Sequence, residues 1–182
     1  MVNNLNIFYK KKILIYGLGK SGLSVLKFLK KDNKITTHDD KIKVDYKKIT
    51  KIDFDYIIIS PGIDINKCNL SEFLKNNSKK IYTDLDIFYS HHKENSKIAI
   101  TGTNGKSTTA KLLYEALIDQ KVDVRLVGNI GNPVLLEKKV TKNTVFVIEA
   151  SSYQLEYSKL FKSNISLILN ISPDHLERHS TI

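Results

Sequence analysis

The run Thr101-Gly-Thr-Asn-Gly-Lys-Ser-Thr108 follows an apolar stretch, Lys97 to Ile100, and leads into the most regular helical pattern of the chain, Lys106 to Asp119. Such a turn works only where a buried strand ends and a helix begins, so it leaves few architectures open. In that setting Lys106 would hold the β- and γ-phosphates of a nucleotide and Ser107 would offer its hydroxyl to Mg²⁺, with a purely structural turn between strand and helix as the alternative. The N–H groups of Asn104 to Thr108 cradle phosphate oxygens. The general phosphate-loop pattern wants a glycine five residues before Gly105; Ile100 stands there, and Gly102 is offered instead.

Strand-like apolar runs alternate with helix-like stretches along the whole chain. Ile13 to Tyr16, Lys34 to Thr37, Tyr56 to Ser60 and Lys79 to Tyr82 read as strands in the first half; Lys97 to Ile100, Val122 to Val127, Val145 to Glu149 and Ile165 to Asn170 follow in the second. Ser21 to Lys30 and Lys106 to Asp119 have helical spacing, the latter with Ala110, Leu113, Tyr114 and Leu117 on one face. Asn69 with Glu72 suggests a capping box, and Thr83 a second helix start. Continuous rather than alternating apolar strands separated by helices imply parallel sheets covered on both faces, an α/β fold. The aperiodic polar segment Ser90 to Ser96 divides the chain into expected domains 1–92 and 93–182, with His91 and His92 expected to be solvated there and His38 incidental.

Each half opens on a glycine turn. Gly17-Leu-Gly19-Lys20-Ser21-Gly22 follows a strand and opens a helix, a placement that lets backbone N–H groups meet a diphosphate. Asp39 or Asp40, about twenty residues on, stands where a carboxylate accepts hydrogen bonds from a ribose or a base. This turn does not choose between NAD and another diphosphate, and a purely structural turn remains open. Glu149 ends a buried strand, where a carboxylate needs a partner such as a metal ion; Ser151, Ser152 and Gln154 add polar groups beside it. Asp174 and His175 follow the last strand and suit a metal, a nucleotide or a simple helix cap. Asn129, in Gly128-Asn-Ile-Gly131, suits a substrate contact or a left-handed turn equally.

Composition narrows the partners. The chain carries 29 basic and 19 acidic residues, for a net charge of +10, but all but two of the bases are lysines and they are scattered. Arginine forks and aromatics interleaved with a basic stripe are lacking, which argues against sequence-specific nucleic-acid reading. No apolar run approaches a membrane span, and the first twelve residues lack the apolar core of a secretory signal, so the expectation is a soluble cytoplasmic protein. The single Cys68 excludes an internal disulfide.

Taken in order and spacing, these segments resemble the Mur ligase family, ATP-dependent amino-acid ligases of peptidoglycan precursor synthesis. The resemblance rests on residues 17–22, Ser60-Pro61-Gly62-Ile63, residues 101–108, Gly128 to Gly131, and Glu149-Ala-Ser-Ser-Tyr-Gln-Leu-Glu156 followed by Asn170-Ile-Ser-Pro-Asp-His175. It implies a Rossmann-like parallel-sheet domain that holds the UDP part of a substrate, followed by the first half of a phosphate-loop ATPase domain. Gly19, Lys20, Ser21, Asp39, Asp40, Ser60, Pro61 and Gly62 would then surround uridine and diphosphate, with Asn129 and Ser151 toward the rest of the substrate. Gly102, Thr103, Asn104, Gly105, Lys106, Ser107 and Thr108 would bind ATP; Ser107, Glu149 and His175 would hold Mg²⁺; Lys106, Glu149 and His175 would be the catalytic set. The implied activity adds D-glutamate to UDP-N-acetylmuramoyl-L-alanine through an acyl phosphate, with only small-molecule partners. Family members carry a modified lysine and a third domain after the Asp-His segment, so the expectation is an N-terminal fragment that is inactive alone. An NAD-dependent oxidoreductase, a non-catalytic nucleotide-binding module and a folate-polyglutamylating ligase stand as alternatives. Against the last, Ser107 follows Lys106 with no glycine between them.

Overall fold

Each of the eight runs carries a strand, because short stretches rich in Ile, Val and other β-formers between turn residues bury best in a sheet covered on both faces. The computed structural model describes residues 6–42 and 46–173. In chain order the elements are β1 (Lys12–Tyr16), α1 (Lys20–Leu29), β2 (Lys34–His38), α2 (Tyr46–Ile49), β3 (Tyr56–Ile59), α3 (Ser71–Asn76), β4 (Ile81–Tyr82), α4 (Asp84–His91), β5 (Ser96–Thr101), α5 (Lys106–Asp119), β6 (Val124–Gly128), β7 (Val145–Glu149), α6 (Ser152–Glu156) and β8 (Ile165–Ile168).

The strands form two four-stranded sheets, ordered β2-β1-β3-β4 and β6-β7-β5-β8. All six pairings among them are parallel. In the first sheet the connection leaving β1 goes to one side and that leaving β3 to the other; in the second, β5 and β7 diverge in the same way. A crevice opens at the C-terminal ends of each such pair, where ligands of open parallel sheets collect.

Each sheet has an apolar cluster of its own, and the two share a third between them. Ile13, Ile15, Val25, Leu29, Ile58, Leu85, Ile87 and Phe88 from the first half pack in one cluster with Val127, Val134, Leu135, Phe146, Ile148 and Ala150 from the second. At its centre the rings of Phe88 and Phe146 meet edge to face, centroids 4.8 Å apart. The same seam carries the buried carboxylate of Asp86, which accepts hydrogen bonds from Ser158 Oγ and from the backbone N–H groups of residues 159–161.

Two local expectations need correction. Asn69 and Glu72 form no capping box: α3 starts one residue later than that pairing requires, behind Leu70, which is 2% exposed in the core together with Leu74. Packing of these leucines sets where the helix begins. The segment Ser90 to Ser96 is not all linker either, since α4 runs through His91. His91 is exposed, as expected, though its ring meets the edge of Phe28 and bonds to Asn6, whereas His92 is half-buried against the rings of Phe88 and Phe146. Thr83 does cap α4, in a box with Asp86.

Candidate active site

In the first sheet the crevice lies between Gly17 and Ser60. Gly17 has φ +89°, and a Cβ there would stand 2.8 Å from the Cβ of Ser60, so no other residue fits. Ser60 Oγ donates to Gly17 O at 2.7 Å, Gly17 N donates to His38 O at 2.8 Å, and Leu18 N donates to Asp39 Oδ2 at 2.7 Å. The turn is thus held from both neighbouring strands. Asp39 also accepts from Lys41 N, and these two N–H groups hold its carboxyl below the usual range. Both oxygens of Asp39 therefore shape loops, and each keeps acceptor capacity to spare. Asp40 accepts the hydroxyl of Tyr16 at 2.5 Å; burial, Asp40 and Cys68 together push the Tyr16 hydroxyl far above its ordinary pKa. Gly19 caps α1 with open space on its Cβ side, and neither a side-chain cap nor an acid occupies the first turn. Lys20 and Ser21 begin the helix there.

In the second sheet the loop 102–105 connects β5 to α5. Gly102 has φ +137°, and a Cβ would meet the backbone of Leu169 and Asn170 at 3.0 to 3.2 Å. This explains the displaced glycine: Ile100 is still within β5 and fully buried, while the chain after β8 presses on the loop two residues later. Asn170 laces the two segments together. Its Oδ1 accepts from Asn104 N at 2.9 Å, its Nδ2 donates to Asn104 O at 3.0 Å, and its carbonyl accepts from Thr103 N at 3.1 Å. Lys106 Nζ lies over the loop, donating to Gly102 O and Thr103 O at 2.8 Å each. Ser107 and Thr108 are exposed at the start of α5. That helix also opens on a glycine, without a side-chain cap or a first-turn acid, whereas α4 and α6 carry capping boxes. The positive ends of α1 and α5 are thereby left for anions.

Glu149 pairs with Ile100 in the β5–β7 register, so it leaves its strand beside the phosphate loop. It is 1% exposed. Oε1 accepts from Asn129 Nδ2 at 3.0 Å, but Oε2 has no hydrogen-bond partner among the described residues. A buried carboxylate oxygen without a donor is costly, and a divalent cation bound with Ser107 fits it. Asn129 spends its amide on Glu149, and its N–H on Glu149 O at 2.9 Å, rather than standing free toward a sugar. Ser151 caps α6 through Gln154. His175 lies outside the described residues. Pro61 and Gly62 continue the turn after β3, where Ile63 N closes onto Ser60 O at 3.0 Å.

A cleft of about 400 Å³ is lined by Lys20, Leu23, Ser24 and Lys27 of α1 and by Gly131, Pro133 and Leu136 of the second half. The first glycine turn therefore stands across from the loop that follows β6. Sequence reasoning missed the loop-holding role of Asn170 and the partners of Gln154, because both bonds join segments distant in the chain. The only signal was their polarity at strand ends.

Residues 100–182 match the Mur ligase middle domain. The chain is 36% identical to the UDP-N-acetylmuramoylalanine–D-glutamate ligase of Rickettsia bellii, over 98% of this chain and 42% of that protein. It is 38% identical to the ligase of the same name from Caldicellulosiruptor bescii, over 94% of this chain and 42% of that protein. The chain thus spans about two fifths of the length of these relatives. Among solved structures, the UDP-N-acetylmuramate:L-alanyl-γ-D-glutamyl-meso-diaminopimelate ligase of Neisseria meningitides superposes with a TM-score of 0.55 at 14% identity, covering 93% of this chain and 63% of that one. The second likeness bears on the fold alone.

Proposed function

The chain belongs to the Mur ligase family, and on that premise we propose that its site serves an ATP-dependent ligase joining D-glutamate to UDP-N-acetylmuramoyl-L-alanine in the cytoplasmic synthesis of peptidoglycan precursor. The observation that carries this reading is the pair of uncapped helix starts, α1 and α5, each at the crevice of its own parallel sheet. One anion site suits the diphosphate of a UDP-sugar, with Lys20 and Ser21 at the helix start. The other suits the phosphates of ATP, with Lys106 and the N–H groups of residues 104–108. An oxidoreductase would leave this second loop without a task.

In the proposed reaction an oxygen of the alanyl carboxylate attacks the γ-phosphorus of ATP, and the β–γ bridging oxygen leaves with its electron pair on ADP. The deprotonated amine of D-glutamate then attacks the acyl carbon, phosphate departs, and the amide forms. Two anions meet in the first step, so cationic and N–H groups matter more than an acid or base. Lys106 neutralises charge on the transferring phosphoryl group, and the loop N–H groups hold its neighbours. Glu149 and Ser107, with His175, would hold Mg²⁺, which when bound shields the phosphates from the incoming carboxylate. Asn129 keeps the Glu149 carboxylate aimed at that place.

Calorimetric titration tests the reading. Saturable heat is expected with UDP-N-acetylmuramoyl-L-alanine and with Mg·ATP, none with NADH, and loss of the ATP heat in Lys106→Ala. Binding of NADH in place of the UDP-sugar overturns it.

A further inference from the structure

Asp84, the first residue of α4, is 3% exposed and lies on the seam between the two sheets. It has no cationic partner among the described residues, and its bonds are to neutral donors. Gln154 Nε2 reaches both of its oxygens at 3.4 Å and Leu85 N donates to Oδ1 at 3.0 Å, while the Ser21 side chain lies close enough to favour the charged form. These contacts point in two directions. Ser21 belongs to the glycine turn of the first sheet; Gln154 belongs to α6 of the second.

Gln154 suits this place for a chemical reason. Its Oε1 accepts from Ser151 N at 3.2 Å and Ser151 Oγ at 3.3 Å, which turns its Nε2 to the carboxylate. A backbone N–H needs an acceptor and a carboxylate needs donors; a glutamine supplies one of each, 70 residues away from Asp84 in sequence. Glutamate would set two carboxylates against each other, and leucine would drop both bonds. Asp84 is a poor contributor to stability, since a buried carboxylate without a cation barely repays its desolvation. The seam is already held by the shared apolar core and by Asp86.

We propose that Asp84 is a positioning residue that sets the spacing between the turn carrying Ser21 and the turn carrying Ser151, so that both reach one UDP-sugar. The ligand in this statement rests on the function proposed above. Supports placed behind binding groups matter because small displacements of those groups cost much of their effect.

The test measures affinity for UDP-N-acetylmuramoyl-L-alanine, the thermal midpoint and the ¹H–¹⁵N amide spectrum in Asp84→Ala, Asp84→Asn, Gln154→Leu and Asp86→Ala. Asp84→Ala and Gln154→Leu are expected to bind about tenfold more weakly while folded, with Asp84→Asn recovering part of the loss because it keeps an acceptor oxygen. Amide signals near both Ser21 and Ser151 are expected to move together. Asp86→Ala, which grips the same seam without touching either turn, is expected to lower the midpoint with little loss of affinity. Affinity of Asp84→Ala within about twofold of wild type overturns the proposal, as does a loss that only tracks the midpoint in all four variants. If the unaltered chain ignores the UDP-sugar, the proposed function fails. The spectra then still decide the coupling, and movement confined to one turn overturns it.

Discussion

Asp86 Oδ1 accepts the backbone N–H of Leu160 at 2.7 Å, joining a helix of the first sheet to a loop of the second across 74 positions of chain. The same oxygen accepts from Lys159 N, Phe161 N and Ser158 Oγ, while Oδ2 holds Thr83 N at 2.8 Å. One buried carboxylate thus satisfies donors from both halves. Asp86→Ala strands several of them, and the expected cost is about 3 kcal/mol or more. Urea denaturation would show it, with Asp86→Asn losing less because one acceptor oxygen remains.

Glu149 predicts a trade between stability and binding. Without a metal, Glu149→Gln removes a buried charge whose Oε2 lacks a donor, so the thermal midpoint is expected to rise or hold. Mg²⁺-dependent ATP binding is expected to fall about tenfold or more, since an amide is a poor ligand for a hard cation. Scanning calorimetry and titration of the same samples check both halves of the statement.

Acid should weaken the fold at pH values above those where an ordinary aspartate titrates. Desolvation by neighbouring groups pushes His91 down to about 4, from an ordinary 6.5, and lowers His92 as well. The unfolded rings take up protons that the folded rings refuse, so stability is full above about 6.5 and falls as the pH drops toward 4. Asp84 works in the opposite sense: burial raises its pKa, and protonation above 3.8 favours the folded state. His92→Phe keeps the aromatic contacts and removes one titration. Its melting temperature should depend less on pH between 4 and 6.5 than that of the unaltered chain.

Strand β8 pairs with β5 on one side only among the described strands. Its Ile165 and Ile168 are 55% and 65% exposed, and Ile171 beyond it 71%. An apolar edge of this kind pairs with other chains. The mass seen by light scattering is expected to grow with concentration, and Ile168→Lys is expected to suppress the growth. A clean monomer at high concentration in the unaltered chain contradicts this.

The strands were legible because each is a short apolar run between turn residues, and α5 because its apolar face repeats at helical spacing. Strand order was not legible, since nothing local tells the chain leaving β2 to pass β1 and place β3 on its far side. The two glycine turns could be read from strand, glycine and helix in succession. The supports behind them could not: Asn170 reaches Asn104 across 66 positions and Asp84 reaches Gln154 across 70, and neither bond leaves a periodic trace. The polar look of Ser90 to Ser96 misled for a related reason, as His92 is half-buried against aromatics from two different segments.

The core that runs from Val25 and Phe88 to Phe146 and Leu135 also bears on how such chains can be recombined. Exchanging residues up to 92 with the matching part of a relative would replace one side of a packed surface and keep the other. Chimaeras should therefore succeed only when the facing residues travel together. Within a lineage, a change in size at Phe88 should be answered at Phe146, so that two segments that look like independent modules drift as one.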